Sequence, residues 1–355
     1  MRIAFSINGE GRGHFSRAVA LAEILGARHE ITFWAPEHLT AELRGRFPDC
    51  GVYSIPYFAF VQNGFTVDYV KTALANAGLL FGATGTGAEI ARRMKDARVE
   101  AVVSDFEPFA ARSAKLLGIP VLQLNHPGVV LRSFSLGFGA IVARLVSRYM
   151  MARSDRTVIC SFFDGDVGPI VRKELREREA VSGEHVAVYL KPLYRDTLFP
   201  LLERLGKDRF RIFPDPRADY AETLLSCRAL VSPAGHQSIS EALALGKPVL
   251  AIPVQGQYEQ ELNARKLRAT GFGDWCRHGD LHRKLPDFLD SLETYEKAIA
   301  LSRASAAGEG ERRSSCRDET ERAALMVELF CAESRRRPEW KRRPLLAAVL
   351  LNGMN

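Results

Sequence analysis

Short apolar runs recur along the chain, each followed by a glycine-rich or polar turn and then by a stretch with apolar side chains at helical spacing. Arg2–Ile7, Glu30–Ala35, Gly51–Ile55, Val99–Ser104, Ile119–Asn125 and Arg156–Phe162 read as strands of a first half. Val186–Lys191, Arg209–Phe213, Leu230–Val231 and Pro248–Pro253 read as strands of a second. Between them, Phe15–Ala27, Tyr194–Leu205, Tyr220–Ser226 and Ser238–Leu245 carry the helical period. Buried strands alternating with helices specify parallel sheets with helices on their faces, so the pattern predicts an α/β protein. At 355 residues the chain exceeds one ordinary core, and the polar stretch around Asp164 to Pro169 is the expected crossing between two domains. The expected ranges are 1–166, 167–335 and a basic and apolar tail over 336–355.

Other stretches are less regular. Tyr57 to Asp68 is an aromatic-rich loop, and Tyr69 to Ala97 reads as a helical segment interrupted by Gly78, Gly82, Gly85 and Gly87. Leu131 to Arg153 mixes apolar residues with Arg132, Arg144, Arg148 and Arg153; it fits a helix packed on the sheet with its arginines wet, or one lying in a membrane interface. Leu281 to Phe330 reads as helical, loosening around Gly308 to Gly310.

Two turns carry chemistry. Ser232-Pro233-Ala234-Gly235 ends a strand and opens a helix, where free backbone N–H groups and the positive helix end attract a phosphate. His236, Gln237 and Ser238 stand at that helix start, and Glu241, one turn on, is suited to both hydroxyls of a ribose. The loop after the next strand offers Gln255, Gln257, Glu259 and Gln260 for sugar hydroxyls. Near the amino terminus, Asn8-Gly9-Glu10-Gly11-Arg12-Gly13-His14 is a second strand-loop-helix turn, lacking the third glycine and acidic ribose ligand of the dinucleotide fingerprint. His14 at its helix start is a candidate general base, its alternative being a capping or phosphate-contacting role. Asp105 ends a central strand, with Glu107 as fallback partner or base; a helix N-cap is the structural alternative for Asp105. His126 is a further loop candidate.

The stretch from Ser232 to Ala264 resembles the donor motif of GT-B glycosyltransferases, with Gly235, Ser238 and Glu241 in the glycine, serine and ribose-glutamate positions and Glu259-Gln260 where many members have Asp-Gln. The strings Gly-His-Gln-Ser-Ile-Ser-Glu-Ala and Glu-Gln-x-x-Asn-Ala make it similar to bacterial and archaeal relatives of the lipid-linked N-acetylglucosaminyltransferase of peptidoglycan synthesis, the family 28-like group. Gly11, Gly13, His14 and Arg17 match the Gly-x-Gly-His-x-x-Arg string of the first domain, on the acceptor side. The resemblance covers most of residues 1 to 275. It implies two Rossmann-like parallel-sheet domains facing across a cleft, a nucleotide-sugar donor in the second, and Asp105 orienting a catalytic His14. In one respect the chain departs from the family: a strand and base-contacting loop normally precede the helix Tyr220–Ser226, and only Pro214 to Asp219 remain.

Composition narrows the alternatives. Hydrophobic residues at 46% and charged residues at 26% are those of a globular protein, and no apolar stretch approaches the ~20 residues of a membrane span. With no secretory signal read, the expected location is cytoplasmic, with peripheral contact at the inner face of the membrane left open. The six cysteines lack metal-ligand spacing, so neither metal site nor cofactor is expected. The formal charge of +7 is concentrated in ESRRRPEWKRR near the end, and no nucleic-acid module accompanies it. The function that the resemblance implies is transfer of a sugar, from a UDP-sugar, to a hydroxyl acceptor that is lipid-linked or a glycan, with inversion. A nucleotide-sugar hydrolase or epimerase of the same fold, and a non-catalytic sugar-nucleotide-binding partner, are the alternatives.

Overall fold

The computed structural model of the chain describes residues 1–63, 66–67, 71–72, 74–77, 83–133, 135, 137–304 and 314–336. The expected breaks at Gly78 and Gly82, the loosening at Gly308 to Gly310 and the tail 337–355 lie outside the described residues. Two units emerge: residues 1–61 and 68–160 with the chain from Glu321 onward form one, and residues 62–67 and 161–320 the other.

The first unit is built on β1 (Arg2–Ile7), β2 (Glu30–Ala35) and β3 (Gly51–Ser54); a short antiparallel ribbon, β4 (Gln62–Asn63) with β5 (Thr66–Val67), follows and belongs to the second unit. β6 (Ala101–Asp105), β7 (Val121–Asn125) and β8 (Arg156–Ile159) complete a parallel sheet in the order β3-β2-β1-β6-β7-β8. The order reverses between β1 and β6. Connections leave these two strands in opposite directions, which opens a crevice at their carboxyl ends. Ile7 pairs in register with Asp105, so the glycine loop and the Asp105 carboxylate rise from the same point. Beneath, Trp34, Val102, Ile90, Met94 and Phe109 form a core between the sheet and the helices Ala83–Asp96 and Pro108–Leu116.

The second unit repeats the plan with β9 (Val186–Tyr189), β10 (Phe210–Phe213), β11 (Ala229–Pro233), β12 (Val249–Ile252) and β13 (Gly273–Trp275). Its parallel order is β10-β9-β11-β12-β13, reversing between β9 and β11. Val188 pairs with Val231, so Tyr189 ends β9 beside the start of the Gly235 turn. Leu198, Leu202, Val231, Leu250, Ile252 and Phe288 belong to its buried core.

The helix expected over Leu281 to Phe330 is three helices, Leu281–Asp290, Leu292–Ala304 and Thr320–Arg336. No helix among the described residues is long and apolar enough to cross a membrane.

Candidate functional site

The loop after β1 is pinned by Asn8, a buried residue on which the sequence analysis placed no role. Its Nδ2 donates to the Phe106 carbonyl at 2.9 Å, its backbone N–H to the Asp105 carbonyl at 3.3 Å, and its Oδ1 accepts the Glu10 N–H at 2.7 Å. Gly11 turns the chain at φ +71°, a left-handed conformation that costs glycine little. The helix Gly13–Leu25 then opens with no side-chain cap.

His14 and Arg17 lie three residues apart on one face of this helix, and both reach Asp105 across the sheet crevice. His14 Nδ1 is 2.7 Å from Asp105 Oδ1, while Arg17 donates from Nε to Oδ2 at 2.8 Å and from Nη2 to Oδ1 at 3.0 Å. Arg17 Nη2 also lies 3.0 Å from Nδ1, but the shorter contact of that nitrogen is to an ionised carboxylate, which only accepts, so in the neutral ring Nδ1 carries the hydrogen and Nε2 keeps its lone pair. Nε2 has no protein partner among the described residues. Burial alone would raise the Asp105 carboxyl, yet the Arg17 guanidinium and then His14 hold it below its ordinary value. Phe106, next along, sits at φ +58° with its ring parallel to the imidazole at 9° and 6.2 Å between centroids. A phenylalanine in that region is strained, and Asn8 on its carbonyl helps to hold it there.

The helix N-cap is Glu107, not Asp105. Its carboxylate accepts from the Phe109 and Ala110 N–H groups at 2.6 and 2.9 Å, so it faces the helix Pro108–Leu116. Burial pushes this carboxyl up to about 7 against the lowering effect of those two bonds. His126 is buried, with Nδ1 3.1 Å from the Cys160 carbonyl.

In the second unit β11 runs into Gly235, whose φ of −68° any residue adopts and whose added Cβ would meet nothing within 4 Å. The helix His236–Ala244 starts there with no side-chain cap. Asn263, fully buried, fixes the turn by donating from Nδ2 to the Ala234 carbonyl at 3.1 Å. His236 turns inward, its ring parallel to Phe162 and its Nε2 2.9 Å from Ser240 Oγ. Gln237 Nε2 donates to the Ile170 carbonyl at 2.8 Å and to Glu241 Oε1 at 2.9 Å. Ser238 is half-buried in the same first turn.

Glu241 is 3% exposed and gripped by Arg172, Nε to Oε1 at 2.8 Å and Nη2 to Oε2 at 3.0 Å. Arg172 precedes the second sheet by many residues, and no local pattern in the sequence singled it out. With two donors on Oε1 and one on Oε2, the carboxylate keeps one open acceptor position where two ribose hydroxyls were expected. After β12, Gln260 Oε1 accepts the Val254 N–H at 3.0 Å and Glu261 the Gly256 N–H at 3.1 Å, lacing the loop to the helix Tyr258–Thr270. Glu259 lies half-buried in that helix's first turn.

The structure thus gathers His14, Arg17 and Asp105 beside Gly11 and Gly13 in one unit, and Gly235, Gln237, Ser238 and Glu241 in the other. It directs the Glu107 carboxylate and the His236 ring into local contacts instead. Among the described residues no group of three or more His, Cys, Asp or Glu is placed to hold a metal ion.

A family model described as Glycosyl transferase family 1 matches residues 1–217 and 209–293. An uncharacterised glycosyltransferase of Methanosarcina mazei is 26% identical, over 77% of this chain and 85% of its own length. One of Methanosarcina acetivorans is 25% identical over the same shares. Among solved structures, Acinetobacter baumannii MurG superposes over 92% of this chain and 99% of its own with a TM-score of 0.59 and 16% identity. The rhamnosyltransferase SpnG, complexed with thymidine diphosphate, does so over 93% and 100% with a TM-score of 0.57 and 17% identity. At such identities the structural likeness speaks for the fold, two parallel-sheet domains of the GT-B kind.

Proposed function

The chain belongs to glycosyl transferase family 1 and is a glycosyltransferase of GT-B type, and from that premise we propose that it transfers a hexose from a UDP-sugar to a hydroxyl acceptor with inversion. The observation that carries the donor half is the helix start at Gly235, which no side chain caps and where an added Cβ would meet no protein atom within 4 Å, so that a diphosphate can approach the positive end of the helix. Gly235 and the N–H groups of His236, Gln237 and Ser238 hold the diphosphate, and Ser238 adds its hydroxyl. Glu241 takes one ribose hydroxyl at its open position, while Glu259 and Gln260 serve the sugar.

On the acceptor side, His14 Nε2 takes the proton of the attacking hydroxyl. The acceptor oxygen then bonds to the anomeric carbon while the bond to the diphosphate oxygen breaks, and the diphosphate leaves with the electron pair. One displacement of this kind inverts the anomeric centre. Asp105 keeps the proton on Nδ1 and stabilises the imidazolium that forms. Helix-end N–H groups neutralise the leaving diphosphate, so this chemistry calls for no metal ion.

For the acceptor the reading is a lipid-linked or glycan hydroxyl, in a cytoplasmic protein with peripheral contact at the inner membrane face. The helix Phe138–Met150 supports that contact, since Ile141 and Leu145, one turn apart, are exposed beside Arg144 and Arg148. Thermal shift against uridine, thymidine, guanosine and adenosine diphosphates tests the donor half, with the uridine compound expected to raise the melting point most. Incubation with UDP-sugar alone tests the chemistry: rapid release of UDP without acceptor makes the protein a hydrolase and overturns the transferase reading.

A further inference from the structure

Only Pro214 to Asp219 separate β10 from the helix Tyr220–Ser226, too little for the base-contacting loop that the family resemblance implies, yet aromatic groups gather at the carboxyl end of this part of the sheet. β9 and β11 are the strands at which the second sheet reverses its order, and ligands of such sheets bind outside the carboxyl ends of those strands. Tyr189 is the last residue of β9 and pairs in register with Phe213, the last of β10. The residue is 37% exposed. Tyr220, which opens the helix after the shortened connection, packs its ring 5.2 Å from Tyr189 and 5.2 Å, edge-on, from the buried Phe213.

A second observation concerns the Tyr220 hydroxyl. Oη is buried and makes no hydrogen bond among the described residues. Burial first, and then the charge of Glu241, keep the phenol protonated, so it stands within electrostatic reach of that carboxylate without bonding to it. A buried hydroxyl left unsatisfied costs free energy, and folded proteins pair nearly all such groups. The same unit thus holds one unsatisfied donor on Tyr220, whose ring packs on the partly exposed Tyr189, and one open acceptor position on Glu241.

We propose that Tyr189 and Tyr220 form the nucleoside subsite of the donor, Tyr189 giving the base a stacking face and Tyr220 Oη a hydrogen bond to the nucleoside. The proposal rests on the donor reading above and supplies the base contact that the missing loop would have made. Stacking on a tyrosine tolerates any base, because every base has a π-face. Such a subsite adds affinity for nucleosides while discriminating weakly among them.

Calorimetric titration of the wild type, Tyr189→Ala and Tyr220→Phe with the four nucleoside diphosphates and with inorganic pyrophosphate tests this. The tightest diphosphate is expected to bind Tyr189→Ala roughly 5- to 150-fold more weakly, the range of one base-aromatic stack, with pyrophosphate unchanged. Tyr220→Phe, which keeps the ring, is expected to weaken the diphosphate severalfold and again spare pyrophosphate. Unchanged diphosphate affinity in both variants overturns the subsite, as does an equal loss for pyrophosphate. A wild type that binds pyrophosphate as tightly as every diphosphate overturns the subsite alone, whereas one that binds neither overturns the donor reading with it.

Discussion

Arg17 takes both oxygens of Asp105, and it does so from the helical turn that follows His14. Arg17 is 3% exposed, so the buried carboxylate owes its charge chiefly to this guanidinium rather than to solvent. A buried pair of this kind is costly to break from either side, because the survivor is left charged and unpaired. The arrangement also settles what the imidazole can do. With Asp105 held ionised, His14 Nδ1 is kept as a donor and Nε2 is the ring's basic atom.

The first prediction concerns that pair. Arg17→Lys keeps a cation but loses the two-pronged grip, so Asp105 is left free to rotate and His14 with it. Turnover is expected to fall about tenfold or more with donor KM unchanged, because the donor groups belong to the other unit. A parallel rise in donor KM would show that Arg17 acts on the donor and not through Asp105.

His14 and Asp105 are expected to behave as one device. His14→Ala should cost about 10²-fold or more in turnover, the usual range for a general base. Adding Asp105→Asn to that variant should cost little further, since the carboxylate acts through the ring that is gone. Additive losses, measured as kcat on folded protein, would separate the two residues.

Much of this was legible in the sequence where a local pattern carries the information. Continuous apolar runs located every strand of the first sheet and four of the five in the second to within a few residues, because a parallel strand is buried on both faces and shows it; the short edge strand Gly273–Trp275 carries no such run and was missed. Gly235 and His14 stood out because a turn that opens a helix at a strand end leaves a local mark. What long-range pairing decides was not legible. Arg172 meets Glu241 across 69 positions, and Asn8 reaches Phe106 across 98. The inward turn of the His236 ring depends on Phe162, and the competition between Asp105 and Glu107 for the helix N-cap was settled by which carboxylate reaches the Phe109 and Ala110 N–H groups. The break of the last helical region into three helices likewise left no strong mark, since the helical period runs on through it.

Gly235 separates binding from folding. Its backbone suits any residue and an added Cβ meets no protein atom, so Gly235→Ala is expected to leave the unfolding midpoint nearly unchanged. The methyl would instead occupy the ground on which the phosphate approaches. A loss of about tenfold or more in nucleoside diphosphate affinity is expected, measured by calorimetry; unaltered affinity would remove the phosphate from this turn.

Glu241→Gln removes the buried partner of Arg172 and leaves it only the more exposed, longer pair with Glu174, and breaking a buried pair costs on the order of 3 kcal/mol. Reduced stability in urea is therefore expected alongside weaker diphosphate binding. Full retention of diphosphate affinity would show that the carboxylate is a structural partner of Arg172 and no ribose ligand.

Glu107 links stability to pH in a direction opposite to Asp105. Its carboxyl titrates near 4.5 when unperturbed and about 7 in the fold, so the folded protein holds a proton that the unfolded chain releases. The stabilising effect is complete below pH 4.5, declines as pH rises, and is gone above about 7. That interval converts to roughly 3 kcal/mol at most. Glu107→Gln cannot release the proton, and its amide oxygen still accepts at least one of the Phe109 and Ala110 N–H groups. The wild type should therefore lose more stability than Glu107→Gln between pH 5 and pH 8, read as the shift of the urea midpoint of each protein. Parallel decline of the two would mean that the carboxyl is already ionised at the lower pH and that its two amide bonds outweigh its burial.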